Sequence, residues 1–316
     1  MIETLKWDGK PISKPGCYSG LPLEDYHRGD LCVGPSVSSS GLRKIFNESP
    51  ADYWCESPLN PDRIEQTDKR AFMLGRATHH LMLGEPFFAK LFCIQPDEYT
   101  HPKDGVKPWH NGAALCKEWA AAQKAAGRTI LLPSEVEAIK GMAISLGQHP
   151  MVKAGILTGA IERSIIWRDK ETGIWLKCRP DVIPTDSGNF ADLKTTTSVQ
   201  YLDLIYALRD WGYHQQGALV REGCKEVLGF AMEDFTLVFV QKKPPYSVRD
   251  VRLKDSDMDR GHLQNRAALR TLWRCLKNNE WPGPGAGREG TEYLELPERD
   301  QKFIDERLAE IAGEAQ

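Results

Sequence analysis

Residues 179–196 read RPDVIPTDSGNFADLKTT, and this stretch decides the fold. Asp181 and Asp192 stand on either side of a turn, and Lys194 follows two positions after the second aspartate. If the flanking segments are adjacent antiparallel strands, the carboxylates lie near each other, and Asp192 shares a face with Lys194 because strand side chains alternate. Such a set suits Mg²⁺, which keeps several waters and takes phosphate oxygens. The alternative is a solvated hairpin with a surface ion pair, which these three residues alone favour.

The composition is that of a folded soluble protein. The 316 residues are 41% hydrophobic and 27% charged, as in ordinary globular domains. No apolar run is long enough to cross a membrane and no signal peptide is recognisable, so we expect a cytoplasmic protein with no membrane partner. The eight cysteines show no CxxC spacing. This favours reduced, mostly buried thiols over a zinc ribbon or an iron–sulfur cluster.

The order of helical and strand patterns predicts one α/β domain with a central mixed β-sheet flanked by helices. Residues 1–35 are rich in Gly, Pro and Tyr and predict an irregular N-terminal arm. Residues 36–282 contain helical segments, a meander of three short strands, a long helix over 199–223, two more strands and a basic helix over 256–277. Residues 283–316 predict a C-terminal loop and a charged helix.

Several segments resemble one nuclease family. RPD and DLKTT resemble the PD-(D/E)XK motif. The segments SSSGLRKIFNESPADYW, GRATHHLMLGE, ETGIWLKCRPDVIP and YHQQGALV resemble, in the same order, those of the phage and prophage exonuclease VIII (RecE-type) group of RecB-like nucleases. Four co-linear blocks are far more specific than a lone D-x-K triplet. The resemblance covers roughly residues 36–282 and implies a restriction-endonuclease-like core.

The same resemblance implies a metal site. The implied ligands are the side chains of His79, Asp181, Asp192 and, as an outer ligand, Glu162, together with the main-chain carbonyl of Leu193. Lys194 is implied to assist the attacking water. A lone histidine on an apolar helix is usually structural, so the assignment of His79 as a metal ligand depends on the resemblance. The neighbouring His80 is interpreted as a structural residue. Gly75, one helical turn before His79, would let another element approach closely.

The helix after the lysine is implied to support the site. Gln216 matches the family's glutamine, which contacts the site or the DNA. The tyrosine usually found four residues later is Val220 here. Either Tyr206 or Tyr213 could replace it, and both could equally be core residues.

A basic stretch predicts contacts with DNA phosphates. The chain has a net charge of −3, yet residues 242–288 carry eleven Lys/Arg and five Asp/Glu. Arg266, Arg270 and Arg274 form a stripe beside an apolar one. This spacing is typical of a solvated helix face and can also follow phosphates. Nothing indicates readout of base edges. The other predicted DNA-binding residues are Thr195, Arg43 and Arg76.

The motif and the resemblance together imply a Mg²⁺-dependent exodeoxyribonuclease, a phosphodiester hydrolase for which Mn²⁺ is the substitute ion. We expect it to degrade linear double-stranded DNA 5′→3′ to mononucleotides in prophage-type DNA recombination. The resemblance further implies a ring-shaped homo-oligomer and a phage single-strand annealing protein as partner.

Three alternatives stay open. The first is a RecB-like nuclease of other polarity or with endonuclease activity. The second is a non-catalytic DNA-binding assembly module, although the intact His79, Asp181, Asp192 and Lys194 favour catalysis. The third, a zinc hydrolase built on the two adjacent histidines, lacks the HExxH spacing and further clustered ligands.

Overall fold

Two five-stranded sheets form the framework of the chain, and both mix parallel and antiparallel pairs. The computed structural model describes residues 3–64, 70–84, 88–161, 163–185, 187–287 and 290–314. The strands are β1 (Leu5–Lys6), β2 (Gly16–Ser19), β3 (Ser36–Ser38), β4 (Phe92–Ile94), β5 (Glu98–His101), β6 (Gly105–Pro108), β7 (Thr129–Leu131), β8 (Ala160–Ile161), β9 (Ser164–Arg168), β10 (Trp175–Cys178), β11 (Val182–Ile183), β12 (Asn189–Thr196), β13 (Asp234–Gln241) and β14 (Val248–Arg252).

Helices cover the sheets and connect their strands. They are α1 (Leu23–Tyr26), α2 (Ser39–Asn47), α3 (Pro50–Glu56), α4 (Arg70–Met82), α5 (Phe88–Leu91), α6 (Ala114–Ala125), α7 (Pro133–Gln148), α8 (Pro150–Lys153), α9 (Tyr201–Asp210), α10 (Tyr213–Gly223), α11 (Asp255–Asn278) and α12 (Glu298–Glu314), with a π-helical turn at Cys224–Leu228. The chain forms two compact units, residues 1–282 and 283–316. Within the described ranges, no helix is both long and apolar enough to cross a membrane.

The second sheet, of order β14-β13-β12-β11-β8, carries the sequence motif on its middle strand. Side chains of β12 alternate between two buried faces, as the strand period requires. Phe190 packs on the side of α10 and α11, whereas Ala191 and Leu193 pack on the side of α4 and α7. Helices therefore cover both faces of a mixed sheet, and the predicted α/β fold class is confirmed.

The predicted meander is divided between the two sheets. β9 and β10 pair in the first sheet, of order β1-β2-β9-β10-β3, whereas β11 pairs with β12 in the second. The chain crosses between the sheets at Arg179–Asp181. Pro180 lacks the N–H that a ladder needs, and Arg179 is held by bonds to Ser164 Oγ (2.8 Å) and the Leu21 carbonyl (2.6 Å). The sequence predicts one strand that continues from β10 through Asp181 and pairs with β12. In the structure β10 ends at Cys178, and the short strand β11 pairs with β12 instead.

The long helix predicted over 199–223 is two helices, α9 and α10. They are separated at Gly212, whose φ of 59° lies in the left-handed region. A Cβ at this position would lie 2.7 Å from both Arg43 Cδ and Gln215 Oε1. Only glycine suits both the conformation and the space, so the helix breaks here.

The N-terminal residues expected to be an irregular arm contribute β1 and β2 to an edge of the first sheet. β2 pairs with β9 and buries Cys17 and Tyr18. Tyr18 packs with Leu21 and Tyr26 in a small apolar cluster. The Gly and Pro content suggested irregular backbone, but these buried side chains fix the segment to the sheet.

Candidate active site

The two aspartates meet where β11 and β12 pair. In the antiparallel pairing of these two strands, Val182 lies opposite Ala191. When this register is continued by one residue, Asp181 lies opposite Asp192. The amide of Leu193 donates to Asp181 Oδ2 at 2.7 Å. Because the N–H and C=O of one strand residue point to the same side, the Leu193 carbonyl also faces the Asp181 side.

Burial differs sharply within the pair. Asp192 is 1% exposed, whereas the side chain of Asp181 is 17% exposed. His79 and Lys194, which contact the two carboxylates, keep 24% and 20% of their side chains exposed. The site is thus closed behind Asp192 and open to solvent on the side of Asp181.

The charges around the two carboxylates give them different ionisation behaviour. Burial raises the pKa of Asp192, and the charge of Asp181 raises it further, against the opposing effect of Lys194. Burial also disfavours ionisation of Asp181, but His79, Lys194 and the Leu193 amide together outweigh this and lower the pKa of that carboxyl. Neighbouring carboxylates in a poorly solvated site repel each other, so a bound cation would stabilise the pair.

His79 reaches the pair from α4, with Nδ1 3.4 Å from Asp181 Oδ1. Burial disfavours the imidazolium, but the Asp181 and Asp192 carboxylates together outweigh burial and raise the pKa of His79. His80 points elsewhere and packs edge-on against Phe92. A Cβ at Gly75 would lie 3.7 Å from Thr195 Oγ1, an ordinary contact, so the approach of α4 to β12 does not require glycine.

Lys194 lies on the same face of β12 as Asp192. Its Nζ forms an ion pair with Asp192 Oδ2 and lies 5.1 Å from the ring centroid of Tyr213. Burial opposes the ammonium charge, but Asp192, Asp181 and Tyr213 together outweigh burial and raise the pKa of Lys194. The lysine is therefore a cation at neutral pH and acts as a hydrogen-bond donor.

Gln216 on α10 holds the other oxygen of Asp192. Its Nε2 donates to Asp192 Oδ1 at 2.8 Å. The ammonium of Lys194 pairs with the other oxygen, Oδ2. Gln216 thus holds one oxygen of this carboxylate, and Lys194 balances the charge on the other.

The donor set fits a hard divalent cation. Carboxylate and carbonyl oxygens are the ligands that Mg²⁺ prefers. The carboxylates of Asp181 and Asp192 and the Leu193 carbonyl are such donors. As the described side chains stand, no group of three or more His, Cys, Asp or Glu is arranged to hold an ion. His79 and Lys194 instead neutralise the two carboxylates. The predicted outer ligand Glu162 lies outside the described residues.

Tyr206 and Tyr213, the two candidates for the tyrosine that is absent at Val220, lie in different surroundings. Tyr213 lies at the site, against Lys194 and 5.9 Å from the ring of Phe239. Tyr206 is 52% exposed on α9, and Val220 is buried in the core. Tyr213 is therefore the tyrosine that contacts the site.

Arg43 also belongs to the surroundings of the pair, which no local pattern in the sequence indicates. Its guanidinium donates to the carbonyl of Trp211, 168 positions away. Burial lowers the pKa of Arg43, and the nearby Tyr213 and Asp192 oppose that effect. A positive charge is thereby held close to Asp192 at the break between α9 and α10.

The arginines of α11 have partners within the chain. Arg266 contacts Asp169 (2.5 Å) and Glu171 (2.7 Å), and Arg270 contacts Glu171 (2.7 Å). These acids lie at the turn between β9 and β10 in the first sheet, and the contacts favour a structural role for both arginines. Arg274 is exposed and donates to Thr271 Oγ1 at 3.2 Å.

The remaining predicted DNA-binding residues lie closer to the carboxylates. Thr195 is half-buried and directly follows Lys194 in β12. Arg76 is half-buried on α4, three residues before His79. Contact with DNA is still a prediction for these two residues, for Arg43 and for the three arginines of α11.

A helix-covered mixed sheet that carries a proline–aspartate pair and a D-x-K triplet on neighbouring strands defines the PD-(D/E)XK class of fold. The chain belongs to the family described as PDDEXK-like domain of unknown function (DUF3799), whose profile matches residues 38–296.

One of the similar solved structures supports this fold. A protein from Eubacterium rectale, described as a "putative exonuclease", aligns with a TM-score of 0.53 and 15% identity over 82% of this chain and 91% of its own. An alkaline exonuclease from Laribacter hongkongensis aligns over 54% of this chain and 87% of its own, with 15% identity and a TM-score of 0.23, too low to carry an argument. No curated protein matches the chain.

Proposed function

We propose that the chain is a nuclease that hydrolyses DNA phosphodiester bonds with the help of a divalent cation, Mg²⁺ by preference and Mn²⁺ as a substitute. The observation that carries the proposal is the convergence of Asp181, Asp192, Lys194, His79 and Gln216 at one partly open point of the sheet. The description of the E. rectale protein as an exonuclease supports the same class of activity.

Each residue has a definite part in this proposal. Asp181, Asp192 and the Leu193 carbonyl, with His79 beside them, would hold the cation. When bound, the cation would stabilise negative charge on the phosphate and promote ionisation of a water. The ammonium of Lys194 donates a hydrogen bond to the attacking water or to a phosphate oxygen.

The finer proposal is an exodeoxyribonuclease that degrades linear double-stranded DNA 5′→3′ to mononucleotides. A role in phage-type recombination, a ring-shaped homo-oligomer and an annealing partner follow from the resemblance to the exonuclease VIII group. An enzyme of the opposite polarity and an endonuclease are the alternatives.

Two substrates test the proposal. We expect linear duplex with a 5′ label to lose labelled mononucleotides in Mg²⁺, closed circular duplex to stay intact, and EDTA to stop the reaction. Asp192→Asn and Lys194→Ala should each lower the rate by at least about 100-fold, as does removal of other groups that stabilise transition-state charge. Asp305→Asn on α12 is the matched control and should leave the rate unchanged.

The opposite results are equally informative. Full digestion by either site variant would show that the catalytic assignment is wrong. Cutting of the circle would replace the exonuclease by an endonuclease, and prior release of a 3′ label would reverse the polarity.

A further inference from the structure

Helix α9 presents aromatic and apolar side chains to solvent. Amphipathic helices normally turn their apolar face inward, and α9 does bury Leu204. The exposed set, each member more than 40% exposed, comprises Tyr201, Leu202, Ile205, Tyr206 and, just after the helix, Trp211. We call this set the aromatic platform. These five side chains lie between residues 201 and 211, whereas the exposed apolar residues of an ordinary surface are scattered singly.

Arginines lie over the rings of the platform. The guanidinium carbon of Arg249 lies 5.4 Å from the ring centroid of Tyr201, and that of Arg209 lies 5.3 Å from the ring centroid of Tyr206. Both tyrosines are more than half exposed, so ring surface stays open for stacking. Arg209 is paired with Asp210. Arg249 donates to the Val199 carbonyl (3.3 Å), and no carboxylate among the described residues pairs with it.

The platform adjoins the carboxylate pair. α9 begins five residues after β12 ends, and Trp211 accepts a hydrogen bond from Arg43 through its carbonyl. The next helix begins with Tyr213, whose ring lies against Lys194. The exposed helix is therefore linked to the candidate active site through Trp211, Arg43 and Tyr213.

Aromatic rings interleaved with cations suit a single nucleic-acid strand. Each base can stack on a ring, and the cations attract the phosphates whatever the base sequence. α9 has 10 residues and is about 15 Å long, which corresponds to about four stacked nucleotides at 3.4 Å each. Along a duplex the bases are stacked on one another, so only the pair at its end has a free face for these rings.

We infer that the aromatic platform binds an unpaired strand of the DNA that enters or leaves the carboxylate pair. The inference rests on the proposed function for the identity of the nucleic acid as substrate. A protein partner is the competing occupant, because Tyr, Trp and Arg are also enriched at protein interfaces. The link from the platform through Trp211, Arg43 and Tyr213 to the carboxylate pair favours the DNA strand.

Strand binding can be measured apart from cleavage. The probe is a fluorescein-labelled 20-nucleotide single strand, followed by anisotropy in EDTA, beside an abasic strand of equal length. We expect the wild-type protein to prefer the strand with bases by at least about 5-fold, the lower value for one stacked base. The double variant Tyr201→Ala/Tyr206→Ala should lose this preference, and Tyr201→Phe/Tyr206→Phe should keep it.

The control is Tyr293→Ala, which removes a tyrosine that is 97% exposed outside the platform and should change nothing. Thermal unfolding confirms that each variant is folded. Equal affinity of the wild-type protein for both strands would overturn the inference. So would an unchanged preference in the alanine double variant. If that variant instead dissociates an oligomer in sedimentation while keeping the preference, the platform is a protein interface and the inference is wrong.

The inference and the proposed function fail in different ways. The preference for the strand with bases could depend on the tyrosines although no divalent cation supports cleavage of duplex. That result would support strand binding by the platform and refute the proposed nuclease activity. Conversely, cleavage could depend on Asp192 although the tyrosines have no effect on strand binding. That result would support the proposed nuclease activity and refute strand binding by the platform.

Discussion

Gln216 shows how one side chain can prepare a carboxylate for a ligand. It fixes Asp192 Oδ1 at 2.8 Å and leaves Oδ2 to the side of Lys194. Residues that orient metal ligands typically change metal affinity or activity by 10- to 100-fold when they are replaced. Gln216 is therefore a positioning residue in the proposed site.

We expect Gln216→Ala to raise the Mg²⁺ concentration for half-maximal cleavage by about 10-fold or more, because Asp192 loses its orientation. A metal titration of cleavage rate measures this shift. Gln148→Ala, at the exposed end of α7, is the control. An unchanged Mg²⁺ requirement in the Gln216 variant would show that the hydrogen bond does not position the carboxylate.

A second residue, Lys177, titrates within the folded core of the first sheet. It is 3% exposed, and its Nζ donates to the Tyr26 carbonyl at 2.6 Å. Burial lowers the pKa of Lys177 from 10.5 to about 8. Between these values the unfolded chain holds more protons than the folded chain, so stability rises with pH through this window.

Lys177→Met should flatten that rise. The free energy of unfolding of the wild-type protein, measured in urea from pH 7 to 10, should increase relative to the variant by up to about 3 kcal/mol. The variant also loses the bond to Tyr26, but this loss does not depend on pH. Parallel curves for the two proteins would contradict the assignment.

At the scale of elements, the break between α9 and α10 holds the site together. The left-handed Gly212 lets α10 turn so that Tyr213 and Gln216 reach β12, and it leaves room for Arg43. The period of apolar residues in this stretch predicts one continuous helix. Nothing local in the sequence shows that an arginine from α2 occupies the space beside the glycine.

Gly212→Ala should therefore lower both stability and cleavage. The left-handed conformation costs a residue with a Cβ about 1–2 kcal/mol, and the contact with Arg43 adds to that cost. Gly147→Ala is the matched control, because its Cβ would meet nothing within 4 Å and alanine favours a helix by up to about 1 kcal/mol. Urea unfolding of both variants is the measurement. Equal stability of the two would show that the break imposes no strain.

At the scale of the whole molecule, the sequence predicts contacts that are near in the chain and misses those that are distant. The opposition of Asp181 and Asp192 was predictable because a short turn joins their strands. The pairing of Arg266 with Glu171 joins residues 95 positions apart, and no helical stripe shows it. The division of the meander depends likewise on where Arg179 finds distant hydrogen-bond partners.

The cysteines offer a test of the entire fold in one experiment. All eight are free, and only Cys55 among them is classed as exposed. Burial raises the pKa of Cys32 to about 11 and that of Cys224 to about 12. Because the thiolate is the reactive form, we expect a thiol reagent at pH 8 to modify about one cysteine rapidly in the native protein and all eight in urea. Cys55→Ser should abolish the rapid phase. Rapid modification of several thiols in that variant would mean that the fold does not shield the other cysteines as the structure shows.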